Sequence, residues 1–142
     1  MGSSAITSRE FVMADYDGAV ALWGQVEGVE ICEGDSREEI RRYLERNPGL
    51  SRVAEEGGVI VGAVLCGHDG RRGWIYHLAV DPECRGRGTA KLLIDDCVRS
   101  LHDAGIPRSI ILVAGDNPEG RAFWVRNGWE DIVGAVAMTR EL

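Results

Sequence analysis

The segment His77-Leu-Ala-Val-Asp-Pro-Glu-Cys-Arg-Gly-Arg-Gly-Thr-Ala90, with the run that follows it, leaves a folding chain few options. The apolar residues up to Val80 read as a strand and Asp81-Pro82 as a turn, while Leu92, Leu93, Ile94, Cys97, Val98 and Leu101 recur at the spacing of one helix face. Gly105 and Pro107 end that helix, predicted over Gly88–Ala104, and the continuous apolar strand Ser109–Ala114 follows. Two strands joined through a helix lie parallel, with a right-handed crossover. Trp74–Val80 and Ser109–Ala114 are therefore expected to be parallel.

The loop between the first strand and the helix has the chemistry of an anion cradle. The first N–H groups of a helix have no internal acceptor and sit at the positive end of its dipole. Gly86 and Gly88 lack the Cβ atoms that would hold a ligand away from the backbone, and Arg85, Arg87 and Lys91 add positive charge. In a chain of net charge −7 this is a local reversal of sign, and it points to a phosphorylated ligand.

The rest of the chain supplies a frame around this unit. The residues before Ser8 look like an irregular N-terminus, and Arg9–Met13 reads as a first strand. Asp15 is placed to cap a helix carrying Ala19, Val20, Leu22 and Trp23. Ser36 with Glu39 forms a capping box for a second helix with Ile40, Tyr43 and Leu44 on its apolar face, stopped at Asn47-Pro48-Gly49. Ser51–Ala54, Val59–Cys66 and Trp74–Val80 read as an antiparallel meander. A short helix from about Pro118 to Arg126 stops at Asn127-Gly128, and Trp129–Val133 with Ala135–Arg140 is expected to finish the sheet. The fold class is α/β (α+β): a mixed, mostly antiparallel sheet of six to seven strands with a splayed central parallel pair, flanked by about four helices.

At 142 residues and 44% hydrophobic, the chain is expected to form one domain over residues 1–142 without metals or disulfides. Cys32, Cys66, Cys84 and Cys97 show no C-x-x-C pairing and, with three histidines, no metal-ligand spacing. No long apolar run or signal-like segment is apparent, so a cytoplasmic location and no membrane association are expected. A sequence pI near 5.0 argues against nucleic-acid binding and suits a cationic partner.

Leu78-Ala-Val-Asp-Pro-x-x-Arg-Gly-x-Gly, together with Asn117-x-x-x-x-Ala122-Phe-Trp-x-x-x-Gly128-Trp129, resembles the GNAT superfamily of acetyl-CoA-dependent N-acetyltransferases. The family's Arg/Gln-x-x-Gly-x-Gly/Ala signature stands here as Arg85-x-x-Gly88-x-Ala90. The resemblance implies acetyl-CoA as acyl-donor co-substrate, with Arg85, Gly86, Arg87, Gly88, Thr89 and Ala90 holding the pyrophosphate. It also implies that the backbone of Leu78, Ala79 and Val80 pairs with the pantetheine arm, and that the Val80 amide stabilises the oxyanion. Asn117 would serve the pantetheine, or act only as a helix cap ahead of Pro118. Trp124 stands where many relatives carry a tyrosine that protonates the leaving thiolate. An indole lacks that acidity, so packing against the pantetheine is its expected role.

Tyr76 and His77 are the candidate bases for the attacking amine, and strand alternation is expected to send one to each side of the sheet. Glu30, Glu33 and Asp35 lie between the first two helices, a segment that by the resemblance borders the acceptor pocket, and would attract a cationic amine, act through water or form a solvated loop. Cys84, beside Arg85, is assigned no catalytic role. The activity implied is transfer of acetyl from acetyl-CoA to a primary amine, small-molecule or peptide, by direct attack in a ternary complex, with no metal. The rival expectation is a GNAT-fold acyl-CoA-binding sensor without turnover. A homodimer is left open.

Overall fold

A computed structural model describes residues 5–26 and 28–142, so part of the irregular N-terminus expected before Ser8 lies outside the described residues. The chain divides into two compact bodies, one ending at Leu112 and one running Val113–Leu142.

In the first body, strand β1 (Thr7–Glu10) is followed by helices α1 (Tyr16–Trp23) and α2 (Arg37–Arg46). Strands β2 (Arg52–Glu56), β3 (Val59–His68) and β4 (Gly73–Val80), helix α3 (Thr89–Asp103) and strand β5 (Ser109–Ile110) complete it. Among the described residues the sheet has five strands in sequential order, antiparallel except for the parallel β4–β5 pair. The expected capping box holds α2: Glu39 N–H donates to Ser36 Oγ at 3.2 Å, and Ser36 N–H to Glu39 Oε1 at 3.3 Å. Asp15 precedes α1 but makes no side-chain cap, because Arg9 binds its carboxylate through two N–H groups at 2.8 Å and Val12 N–H adds a third donor.

Alternation along β3 sorts the two layers. Ala63 and Leu65 join Trp23 of α1 and Ile40 of α2 in the main core cluster, with Phe11, Val53 and Ala79. Burying each large apolar side chain there contributes about 1.5–3 kcal/mol. On the other face a Cβ at Gly62 would lie 3.0 Å from Leu93 and 3.3 Å from Thr89, and one at Gly73 would lie 2.6 Å from Leu101. Both glycines therefore let α3 pack close to the sheet.

The sheet departs from expectation on the β5 side. Only Gly73↔Ser109 and Trp74↔Ile110 pair, so the strand expected over Ser109–Ala114 is two residues long. The cause lies in β4: Ala63↔Ala79 and Leu65↔Tyr76 leave His77 and Leu78 opposite Val64 alone, and His77 has φ 54°. Such a bulge bends its strand and ends regular pairing.

In the second body, helix α4 (Pro118–Arg126) begins at Asn117, whose Oδ1 accepts from Gly120 N–H at 3.0 Å. Trp124 packs edge-on to Trp129 at 5.1 Å and to Phe123 at 5.6 Å, and Arg121 pairs with Asp131. Trp129–Val133 and Ala135–Arg140 form no strands, correcting the six to seven expected. Their apolar pattern is interrupted by Gly134 at φ 85°, and Val133 and Met138 are over 90% exposed, at 93% and 92%. Without a ladder or a buried face, a strand-like pattern has nothing to fix it.

Candidate active site

The β4–α3 connection is built to present amides. Asp81 opens a short turn at Pro82–Cys84, with Glu83 N–H bonded to Asp81 Oδ1 at 2.9 Å and Cys84 N–H to Asp81 O at 2.8 Å. Beyond Arg85, the N–H groups of Gly86 through Lys91 have no acceptor among the described residues. Gly86 and Gly88 both have φ 78°, and nothing lies within 4 Å of the positions their Cβ atoms would take. The open space and left-handed backbone explain the two glycines together: alternating hands turn successive N–H groups toward one concavity. Thr89, 2% exposed at the first turn of α3, has a buried Oγ1 without a partner among the described residues.

The three expected cations are not equivalent. Arg87 is held by Glu56 of β2 at 2.6 and 3.2 Å, which raises the guanidinium pKa and lowers that of the carboxylate. Lys91 pairs with Asp95 at 2.7 Å. Arg85 is exposed and makes no ion pair among the described residues. Cys84 is buried, as an ordinary small side chain would be.

Asp81 N–H donates to Val61 O at 2.8 Å, facing β3. Peptide groups alternate along a strand, so the Val80 N–H faces the opposite edge, while Ala79, paired with Ala63, turns to β3. Past Trp74 that edge of β4 has no strand partner among the described residues. An extended amide-bearing ligand is chemically matched to such an edge.

Tyr76 and His77 do not point to opposite sides. The bulge breaks the alternation: Tyr76 lies edge-on to Tyr43 of α2 at 6.4 Å, and the His77 ring lies 5.1 Å from Trp23 of α1. Both therefore lie on the α1–α2 face. Tyr76 also stacks on Trp74 at 6.0 Å, and burial pushes its phenol pKa up, away from the range of a neutral-pH base. His77 Nε2 lies 2.8 Å from Asp35 Oδ2. The three acidic residues separate accordingly: Glu30 and Glu33 are exposed, whereas Asp35 is buried against the imidazole.

Three contributors escaped the sequence reading. Glu56 lay in a hairpin end with no signal linking it to Arg87. Cys32 donates to Asp35 Oδ2 through N–H at 3.1 Å and through Sγ at 3.6 Å, and the Tyr16 hydroxyl donates to Asp35 O at 2.6 Å. Only the proximity of Cys32 to Asp35 in the chain could have suggested its contact.

The profile of the acetyltransferase (GNAT) family matches residues 10–129. The chain belongs to that family, and it is an acyltransferase. It is 39% identical over 114 residues to an acetyltransferase of Yersinia enterocolitica, covering 77% of each chain. Its fold is similar to that of Ard1 from Thermoplasma volcanium, with a TM-score of 0.76 at 22% identity over 87% of this chain and 82% of that one. It is also similar to an aminoglycoside acetyltransferase from an uncultured soil metagenomic sample, solved with sisomicin, with a TM-score of 0.75 at 17% identity over 96% of each chain. Among the described residues no helix is long and apolar enough to cross a membrane.

Proposed function

We propose that this acetyltransferase moves an acetyl group from acetyl-CoA to a primary amine by direct attack within a ternary complex. The observation that carries the reading is the run of unbonded amides from Gly86 to Lys91 at the entrance to α3. These amides fit a pyrophosphate, and Arg85 is free to add a charge-assisted hydrogen bond, each worth about 1.5–3 kcal/mol. Acetyl-CoA, when bound, supplies the activated acetyl group as a thioester. The Val80 N–H, turned to the open edge, is the donor proposed for the oxyanion that develops on its carbonyl. For Asn117 and Trp124, the pantetheine role rests on the family pattern alone.

His77 is the proposed base. The amine nitrogen forms the new N–C bond as the C–S bond breaks, and the sulfur leaves with that electron pair as thiolate. The proton lost from nitrogen passes to the imidazole, and solvent reprotonates the thiolate. A cationic acceptor suits the acidic chain, with Glu30 and Glu33 exposed to attract it.

The test is release of free CoA from acetyl-CoA with a panel of amines: spermidine, a lysine-containing peptide, a peptide with a free N-terminus and sisomicin. The expected result is turnover with at least one amine, and melting raised by acetyl-CoA by the equivalent of ~2.7 kcal/mol at a hundredfold excess over Kd. Raised melting without CoA release from any amine would refute amine transfer while leaving acetyl-CoA binding standing.

A further inference from the structure

We infer that Asp35 is a positioning residue for His77 and not a ligand of the acceptor amine. The inference rests on the reading of His77 as the base.

The geometry around the carboxylate carries it. Asp35 Oδ2 receives His77 Nε2 at 2.8 Å, Cys32 N–H at 3.1 Å and Cys32 Sγ at 3.6 Å, and the Asp35 side chain is 7% exposed. Oδ2, with three neighbouring donors, has little capacity left for a substrate ammonium, and at that exposure Oδ1 has little room to meet one. Its backbone is held as well, by the Tyr16 hydroxyl on Asp35 O at 2.6 Å. The carboxylate is thus fixed before any ligand arrives.

Its effect on the imidazole follows from donor and acceptor chemistry. An ionised carboxylate only accepts, so the neutral imidazole facing it carries its proton on Nε2 and leaves the Nδ1 lone pair free. Nδ1 has no hydrogen-bond partner among the described residues, and the ring packs against Trp23 at 5.1 Å. His77 also has φ 54°, a conformation that is unfavourable for a non-glycine residue and persists where its surroundings enforce it. The strained bulge brings the imidazole to the α1–α2 face, and Asp35 selects its tautomer there. The proton taken from the amine accordingly ends on Nδ1.

The experiment uses the full chain with ¹⁵N-labelled histidine, in wild type and in Asp35→Asn and His77→Gln. Long-range ¹H–¹⁵N spectra are expected to show the Nε2–H tautomer at His77 in wild type and a mixture in Asp35→Asn. CoA release with the best amine of the panel is expected to fall ~10–10²-fold in kcat for Asp35→Asn and ~10²–10³-fold for His77→Gln. Acceptor KM and acetyl-CoA affinity are expected to change less than about threefold, and the acetyl-CoA melting shift verifies that each variant is folded. An Nδ1–H tautomer in wild type overturns the inference. So does a raised acceptor KM at unchanged kcat in Asp35→Asn, which would return Asp35 to amine binding. If no amine is turned over, the proposed transfer fails, whereas the tautomer spectra still decide what Asp35 does to His77.

Discussion

The Gly86–Lys91 loop and the Asp35–His77 pair lie in the same body of the chain, at opposite extremes of hydrogen bonding. In the loop, successive amides have no acceptor among the described residues, and a buried Thr89 hydroxyl stands beside them without one. At the pair, one carboxylate oxygen gathers the imidazole and two groups of Cys32 while a tyrosine hydroxyl holds the backbone. Groups that meet a ligand are kept open, because every internal bond would compete with that ligand. Groups that orient a reacting side chain are closed, because any slack would be lost at the reacting atom.

The largest effect expected from breaking this contrast lies at Gly88. A Cβ there meets no neighbour within 4 Å, but φ 78° is a poor conformation for a β-branched residue such as valine, costing about 1–3 kcal/mol. Relaxing the strain turns the cradle amides away. Gly88→Val is expected to melt lower without ligand and to lose most of the acetyl-CoA shift of ~2.7 kcal/mol. A lower melting temperature with the full shift retained would show that the cradle does not hold the ligand.

A smaller effect, confined to the protein without ligand, is expected at Thr89. Leaving its buried hydroxyl unpaired costs about 1–3 kcal/mol. Thr89→Val should therefore raise the ligand-free melting temperature by a few degrees and leave the acetyl-CoA shift in place, because the buried Oγ1 is not open to the ligand. An unchanged melting temperature would mean that water already satisfies the hydroxyl, leaving the amides alone as the unpaired groups of the loop.

The open region was legible in the sequence because its signals are local: glycines at fixed offsets, a helix start and a strand before it. The closed one was legible only in its members. His77, Tyr76 and Asp35 were each singled out, but period-two alternation predicts opposite faces for His77 and Tyr76, and no linear pattern announces a bulge that reverses this. The same bulge shortens β5 to Ser109–Ile110, which the apolar run through Ala114 could not reveal. Arg87 and Glu56 were likewise visible as charges, but their pairing depends on β2 meeting the loop in three dimensions.

That pair carries the smallest prediction, and it tests whether the loop is open throughout. Among the described residues, Arg87 is the one cation of the cradle tied to a strand, through Glu56 Oε1 at 3.2 Å and Oε2 at 2.6 Å. A phosphate approaching Arg87 must compete with this carboxylate. The competition is weak, because both groups are well solvated and water screens their attraction, which limits the gain from removing Glu56 to about fivefold. Glu56→Gln is therefore expected to tighten acetyl-CoA two- to fivefold, measured by calorimetry at low salt, and by less at high salt. Arg87 lowers the Glu56 pKa, so the pair is present above the ordinary glutamate range and is lost only as pH falls through the lower, folded value. The gain should accordingly be constant between about pH 6 and pH 8, a range in which glutamate stays ionised. Unchanged affinity would place Arg87 out of reach of the phosphates. Weaker binding would mean that Glu56 helps to build the cradle, moving Arg87 from the open group to the closed one.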